Sequence, residues 1–288
     1  MSTAVTATAV NELRKRTDQP MMDCKSALIE AAGDMDKAIL ILRERNSKVS
    51  VKRSMNETAE GRIAVSIDAA TKTAAIVDMR CESPPTAKND QFIALANDVA
   101  KQIVAKDPKT VDELMAQPFV GGAGTVLDRI NEVIGLIREN MKPKRFTCLT
   151  GGVFGEYVHH DGSVGALIQV EGKDTADAAM LRDICAHVVA LNPQYLRIED
   201  VPADIVVKEK DFQKQQIEAD PKNTGKPANI LEKIVDGKMR TWFGESVLLE
   251  QLVANQMKYE KKTVGQVLKA AGLELVKAVR LKVGEVTA

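Results

Sequence analysis

Cysteine and histidine are the residue types best suited to nucleophilic or metal chemistry, and this chain holds few of them. Its four cysteines form no CxxC pair and stand far apart, at Cys24, Cys81, Cys148 and Cys185. His159 and His160 adjoin, but neighbouring residues of a strand point to opposite faces. A zinc site needs clustered ligands, so this spacing argues against one. A Cys/His nucleophilic pair stays open, because such partners meet in space rather than in sequence.

One glycine-rich stretch, Gly121-Gly122-Ala123-Gly124, has the residue type of a phosphate-binding loop. A loop of the GxxxxGK[ST] type also needs a lysine at a fixed spacing, which this stretch lacks, and no GxGxxG follows a predicted strand. We interpret the stretch as a flexible lead-in to a helix.

The composition argues against further classes of protein. Lys and Arg total 40, as do Asp and Glu, whereas binding through nucleic-acid phosphates depends on a cationic surplus. Aromatic residues make up only 3% of the chain, too few to favour base stacking. No apolar run is long enough to span a membrane, and Met1–Val10 lacks the regions of a signal peptide. We expect a cytoplasmic chain that binds neither nucleic acid nor membrane.

A small helical bundle is predicted at the N-terminus, where apolar residues recur at helical spacing. Its three helices are expected at Ala4–Arg16, Met21–Ala32 and Met35–Arg45. Stop and cap residues separate them at Thr17-Asp18-Gln19-Pro20 and at Gly33-Asp34. A bundle this small is near the lower limit for independent stability, so we expect it to dock elsewhere. The polar stretch Asn46–Asn56 is either a helix extension or a linker.

The middle of the chain changes to the period of 2 that is typical of strands. Gly61–Asp68 and Ala74–Met79 predict a hairpin, and Cys81–Thr86 predicts a rigid loop because its two prolines fix φ. Helices are predicted over Asn89–Lys106 and Thr125–Met141.

The second half repeats this plan, with a hairpin at Val153–His160 and Val164–Val170 and a helix at Thr175–Leu191. Asp98-Val99-Ala100 in the first long helix matches Asp183-Ile184-Cys185 in the second. A chance match stays open, but we favour an internal duplication of an α+β unit because equivalent elements align.

The last part predicts a charged helical hairpin and a small tail. The hairpin helices are expected at Asp204–Ala219 and Ala228–Arg240, and they form either an exposed arm with solvated charges or a surface for self-association or a partner. A helix at Val264–Gly272 and a strand around Leu281 follow. The predicted class is α+β, with domains at residues 1–55, 56–143, 144–203 with 241–262, 204–240 and 263–288.

Residues Leu13–Leu28 read LRKRTDQPMMDCKSAL and resemble the N-terminal signature of the bacterial elongation factor Ts family, with Pro20 in place of its usual glycine. Four further stretches resemble the same family in order along nearly the whole chain: Ala87–Phe92, Tyr157–His160 with Val164-Gly165, Lys262–Gln266 and Val279–Glu285.

The resemblance implies a guanine-nucleotide exchange factor for elongation factor Tu that works by protein contact. It would bring no cofactor of its own, because magnesium and nucleotide belong to the partner. The N-terminal helices would form a domain like the ubiquitin-associated fold, and they would contact the partner through Arg14, Met21, Met22 and Lys25. Alternatively, the two methionines complete the core of their own bundle.

Two contacts are implied in the core of the chain. His159 matches a histidine that the family uses near the partner's phosphate-binding region, although the adjacent His160 leaves the choice open. A local role in hydrogen bonding is the alternative for His159. Ile137 matches another family contact, and packing in the core is its alternative.

Three departures from the family pattern accompany these matches. The family's Thr-Asp-Phe-Val motif, whose Asp and Phe enter between two helices of the partner, is replaced by Ser83, Pro84, Pro85 and Thr86. Its Gln-Pro-Phe-Val motif is Gln251-Leu252-Val253-Ala254 here, and Arg138 replaces a glycine. A family member that has drifted into a binding or chaperone-like role is therefore an alternative, as is an unrelated enzyme. A homodimer or a 2:2 complex through the helical arm is a further expectation.

Overall fold

The computed structural model describes residues 5–285, which form helices and two three-stranded sheets. This mixed content agrees with the predicted α+β class. The chain divides into two compact units. The first contains residues 5–150, Val158–Gly165 and 281–285 of the described part, and the second contains Gly151–Tyr157 and Ala166–Arg280.

The first unit begins with three helices, α1 (Ala7–Thr17), α2 (Met21–Glu30) and α3 (Met35–Arg53). Thr6 and Asp34 cap α1 and α3, because their side-chain oxygens accept hydrogen bonds from backbone amides of the first turn. The helices bury a common apolar cluster of Val10, Leu13, Cys24, Ala27, Leu28, Ala31, Ala38 and Leu42. Of the two alternatives for the polar stretch after this bundle, the helix extension is confirmed as far as Arg53.

A sheet and four helices complete most of the first unit. The antiparallel strands β1 (Glu60–Asp68), β2 (Thr73–Cys81) and β3 (Met141–Thr150) have the order β1-β2-β3. The helices between β2 and β3 are α4 (Pro84–Ala87), α5 (Asp90–Lys106), α6 (Val111–Ala116) and α7 (Val126–Ile137). The amphipathic helix α5 buries Phe92, Leu95, Val99 and Ile103 in one cluster with the inner face of β2.

Three sequence-based predictions fail in this region. The segment expected to be a rigid loop forms the single helical turn α4, because proline is tolerated in a first helical turn, where its missing N–H has no partner to lose. Helix α7 ends at Ile137 rather than Met141, since Arg138 adopts the left-handed conformation. Strand β3 and helix α6 are absent from the prediction.

The N-terminal bundle docks on α7 through α3, as its small size predicted. Gly135 of α7 lets Asn46 approach closely, because a Cβ added at Gly135 would lie 2.0 Å from the Asn46 Oδ1. The Gln19 side chain, which is 1% exposed, donates from Nε2 to the Glu132 carbonyl at 3.2 Å. Both contacts are made by buried side chains with fixed orientations, so the bundle docks on α7 in a defined position.

The second half of the chain repeats the order of elements. Strands β4 (Val153–Val158) and β5 (Val164–Glu171) precede α8 (Ala178–Leu191), and the sheet order is β4-β5-β6 with β6 at Glu274–Lys282. The intervening helices are α9 (Ala203–Ala219), α10 (Ala228–Ser246), α11 (Gln256–Tyr259) and α12 (Val264–Ala271). In each half, a third strand therefore pairs with the second strand of the hairpin: β3 with β2, and β6 with β5. The domain boundaries stay a prediction.

Helices α9 and α10, which we call the helical arm, pack on each other around Ile217, Val235 and Met239. Among residues 5–285, none of the helices combines the length and the hydropathy needed to cross a bilayer.

Candidate functional site

The N-terminal bundle exposes the four side chains implicated as partner contacts. Helix α2 buries Cys24, Ala27 and Leu28, whereas Met21 and Met22, in its first turn, are 49% and 71% exposed. Arg14 and Lys25 are exposed as well. This exposure favours the contact role over the alternative that the methionines complete their own core. Flexible, polarizable methionine side chains at a surface suit contact with another protein.

The turn of α4 presents two prolines to solvent. Pro84 and Pro85 are exposed, whereas Thr86 is 5% exposed and Ser83 is half-buried. Ser83 has the extended backbone expected before proline, at φ −131° and ψ 153°. The turn thus offers an apolar ring surface on a backbone whose φ angles are fixed at two successive positions.

Two carboxylates fasten this turn to the connection between α7 and β3. Glu139 accepts hydrogen bonds from the Ser83 amide at 3.1 Å and from the Ser83 hydroxyl at 2.6 Å. Glu82 accepts from the Asn140 amide and, at 3.0 Å, from the Asn56 side chain. Sequence reasoning missed both carboxylates, because the partners of each are far away along the chain.

Ile137 and Arg138 lie at the end of α7, directly before Glu139 in sequence. Ile137 is half-buried and packs on the core of the first unit, which favours its core alternative without testing a contact role. Arg138 has φ 65° and ψ 29°, and its guanidinium Nη2 lies 3.2 Å from the Asp23 carboxylate of α2. The departure from glycine therefore adds an ion pair between α7 and the bundle.

The two adjacent histidines lie at the end of β4. His159 is half-buried and donates its backbone N–H to Val164, while His160 is exposed, and their rings meet edge to face at 4.3 Å between centroids. The following turn rests on the first sheet, where the Gly162 carbonyl accepts from the Ile63 amide at 2.8 Å. Both imidazoles therefore stand on an anchored turn, and their different exposure distinguishes them.

Ala254 is exposed, and a histidine that sequence reasoning missed holds it in place. Its backbone N–H donates to Nδ1 of His187 at 3.0 Å, while the other ring nitrogen lies 2.9 Å from the Gln251 Oε1. His187 is 1% exposed and Gln251 is 2% exposed. The position of His187 on the buried face of α8 was a weak signal that only the fold could connect to Ala254.

The cysteines lack the properties of nucleophiles. Burial raises the pKa of Cys81 to about 12 and that of Cys148 to about 11, and it also raises the pKa of Cys24 and Cys185. A reactive cysteine needs a lowered pKa. No group of three or more metal-ligating side chains lies together within residues 5–285.

The glycine-rich stretch precedes α7, as predicted. The Gly124 carbonyl accepts from the Phe119 amide at 2.9 Å, and Thr125 then forms a capping box with Asp128. The stretch therefore leads into a helix whose first turn is already capped by side chains.

These surfaces define a class of protein: an α+β chain whose candidate residues are exposed side chains and anchored turns suited to contact with another protein. Residues 86–285 match the family model described as Elongation factor TS. The chain belongs to the elongation factor Ts family of translation elongation factors.

Named relatives cover almost the whole chain. Elongation factor Ts of Trichlorobacter lovleyi is 38% identical over 97% of this chain and 90% of its own length. The protein of the same name from Hydrogenovibrio crunogenus is also 38% identical, over 98% of this chain and 92% of that protein. Elongation factor Ts of Lactiplantibacillus plantarum is 36% identical, with the same two coverages.

Proposed function

We propose that this protein is a guanine-nucleotide exchange factor that binds elongation factor Tu in its GDP form and promotes GDP release, so that GTP can bind. Family membership supports this proposal, and the exposed Met21-Met22 pair on α2 is the observation that carries it. The protein acts in the cytoplasm and performs no bond chemistry. It needs no cofactor of its own, because the magnesium ion and the nucleotide are held by the partner.

Exchange of this kind follows from differential binding. A factor that binds the nucleotide-free partner more tightly than the GDP form must weaken GDP binding by the same ratio. Contacts that distort the phosphate-binding region are sufficient, so no nucleophile or general base is required. The bundle supplies affinity through Arg14, Met21, Met22 and Lys25, all of which are exposed.

The turn Ser83–Thr86 acts through shape, because proline offers neither a carboxylate nor an aromatic ring. Pro84 and Pro85 present a rigid apolar ridge, and Glu139 fixes that ridge through Ser83. Grafting Pro84→Asp with Pro85→Phe tests this role. If the graft leaves the rate of GDP release unchanged, this turn is not the element that drives exchange.

The remaining contacts lie in separate parts of the chain. His159 or the adjacent His160 approaches the partner's phosphate-binding region, from a turn that is fastened to β1. Ile137 contributes where its half-buried side chain reaches the surface of α7. Ala254 contributes an exposed, small-residue contact in the position of the altered Gln-Pro-Phe-Val motif.

The helical arm pairs with a second copy, giving a homodimer or a 2:2 complex with the partner. Its exposed apolar side chains support this association: Val207, Phe212 and Ile230 are 58%, 51% and 43% exposed. Mass measurement of the free protein and of the complex tests it. A 1:1 complex at all concentrations would contradict it.

Stopped-flow release of fluorescent GDP from the cognate elongation factor Tu tests the main proposal. We expect a large acceleration by this protein and a weaker one by Met22→Ala, which removes an exposed contact without disturbing the bundle core. Met55→Ala is the matched control, because Met55 is 92% exposed and lies outside the proposed contacts. Tight complex formation without accelerated release would instead identify a binding or chaperone-like family member.

A further inference from the structure

Residues 251–254 form an ordered segment with alternating exposure. Gln251 and Val253 are 2% and 1% exposed, whereas Leu252 is 44% exposed and Ala254 is exposed. Val264 donates its N–H to the Gln251 carbonyl at 3.0 Å, and Val253 donates to the Lys262 carbonyl at 3.1 Å. In this segment, which we call the 251–254 strap, two side chains are therefore exposed and the two that alternate with them are buried.

A chain of hydrogen bonds runs from α10 to the end of the strap. The Gln251 Nε2 donates to the Glu245 carbonyl at 2.7 Å, which orients the Gln251 Oε1 toward Nε2 of His187 at 2.9 Å. The Ala254 N–H donates to Nδ1 of the same ring at 3.0 Å.

These partners assign the tautomer of His187. Because Nδ1 accepts a hydrogen bond from an amide, it carries no proton, and Nε2 must carry the proton and donate it to Gln251. The network is then fully satisfied. A second proton on the ring would place an N–H against the Ala254 N–H, so that two donors face each other in a buried site.

We propose that His187, as a neutral imidazole, is the positioning residue that holds the exposed end of the 251–254 strap in the conformation that contacts the partner. This inference rests on the proposed exchange function. It adds a residue that touches no partner itself and acts through the Ala254 backbone. Protonation of His187 releases Ala254 and weakens the contact.

The charged groups around the strap are engaged elsewhere or exposed. Asp183, one turn earlier on α8, binds Lys258 Nζ at 2.6 Å and the Tyr259 hydroxyl at 2.8 Å. Glu245 joins the network only through its backbone carbonyl, and its side chain, like that of Glu250, is exposed. Glu260 and Lys262 form an ion pair with each other at 3.7 Å. Burial lowers the pKa of His187, which the Gln251 hydrogen bond opposes, so the ring is neutral at neutral pH.

Two substitutions separate positioning from general packing. His187→Asn places an amide oxygen close to the position of Nδ1, so it keeps an acceptor for Ala254 but cannot titrate. His187→Leu removes both hydrogen bonds and retains an apolar side chain. Full-length proteins are compared for affinity toward nucleotide-free elongation factor Tu between pH 5.0 and 8.0, because the pKa of His187 lies below its ordinary value of 6.5.

The shared partner contributes equally to both pH series. We therefore expect the wild-type affinity to fall toward pH 5.0 more steeply than that of His187→Asn. His187→Leu should bind about fivefold more weakly at pH 8.0, the effect of one net hydrogen bond. Equal pH slopes for wild type and His187→Asn would overturn the proposal. So would wild-type affinity of His187→Leu.

Amide hydrogen exchange of Ala254 in the free protein keeps this test separate from the exchange function. The protection of the Ala254 amide is corrected for intrinsic exchange. If it decreases as the pH is lowered in the wild type but not in His187→Asn, the result supports a positioning role. Equal Ala254 protection in wild type and His187→Leu overturns it. Failure of the wild type to accelerate GDP release would count against the proposed function alone. If His187→Leu does not fold, the comparison with His187→Asn still decides.

Discussion

Glu139 accepts two hydrogen bonds from Ser83, one from its amide at 3.1 Å and one from its hydroxyl at 2.6 Å. Ser83 precedes the turn in which Pro84 and Pro85 replace a carboxylate and an aromatic ring. Proline fixes its own φ but cannot fix how the turn sits on the protein. Glu139 performs that second task, and the pair therefore determines where the proline ridge points.

Replacing Glu139 with Ala should loosen this turn and destabilise the protein by about 2 kcal/mol, the usual loss for hydrogen bonds to a charged group. The rate of GDP release from elongation factor Tu should fall at the same time. Glu139→Gln is the matched control, because its amide oxygen still accepts one hydrogen bond and its cost should be smaller. Urea unfolding and stopped-flow release measure the two effects. Full exchange activity of Glu139→Ala would contradict a role for the fixed turn.

Gly135→Ala should weaken the docking of the N-terminal bundle on α7. The added Cβ would lie 2.0 Å from the Asn46 Oδ1, and forced overpacking of this kind costs about 1–3 kcal/mol. Gly237→Ala in α10 is the control, because a Cβ there meets nothing within 4 Å, and this change should stabilise by about 0.5–1 kcal/mol. Urea midpoints report both.

A double variant locates the cause of the Gly135 effect. Asn46→Ala combined with Gly135→Ala removes the atoms that clash. The loss of stability in the double variant should therefore be smaller than the sum of the losses in the two single variants. Strict additivity of the two single losses would show that the clash with Asn46 is not the cause of the destabilisation by Gly135→Ala.

Arg138 tests whether an ion pair compensates for backbone strain. Its left-handed backbone at φ 65° costs a residue with a Cβ about 1 kcal/mol, while its pair with Asp23 is half-exposed and worth about 0–1 kcal/mol. Arg138→Gly removes both the strain and the ion pair, and Arg138→Ala removes only the pair. We expect Arg138→Gly to be more stable than Arg138→Ala by about 1 kcal/mol in urea unfolding. Equal stabilities would mean that the backbone at this position is unstrained.

Periodicity and caps predicted most of the helices, and the places where they failed have physical causes. Asn89 caps α5 and an apolar face continues to Ile103, so both ends of that helix were near prediction. Strand β3 carries Pro143, which argues against a strand in sequence. The structure accommodates Pro143 at an edge strand, opposite a register shift after Asp78.

The candidate site was likewise only partly predictable from the sequence. The candidacy of Met21 and Met22 followed from a resemblance, but the sequence left their exposure open. Met21 lies three residues before the buried Cys24 and seven before the buried Leu28, so helical spacing places it on the same face as both. The Glu139–Ser83 and His187–Ala254 contacts join residues 56 and 67 positions apart, and no local pattern encodes them. Only the fold brings those partners together, so the residues that position the candidate contacts were missed although the candidates themselves were named.

Stability should depend on pH through His187. Burial lowers the pKa of this histidine below its ordinary value of 6.5, whereas the unfolded chain keeps the ordinary value. Between the two values the unfolded state binds more protons than the folded state, so the free energy of unfolding rises with pH. The stabilisation is complete above pH 6.5 and is lost as the pH falls below it. The slope is at most about 1.4 kcal/mol per pH unit for one group.

Urea unfolding at pH 7.5, 6.5 and 5.5 measures this slope, and His187→Asn provides the reference because asparagine does not titrate. The chain has only three histidines, and the variant retains His159 and His160, so the difference between the two proteins isolates His187. At pH 7.5 the variant should be less stable, because it loses the hydrogen bond to Gln251. At pH 5.5 the difference in the free energy of unfolding between the two proteins should be smaller. Only the wild type is destabilised at low pH, because its buried ring either stays unprotonated at a cost or places a second N–H against that of Ala254. A gap that stays constant from pH 7.5 to 5.5 would show that the ring titrates alike in the folded and unfolded chain.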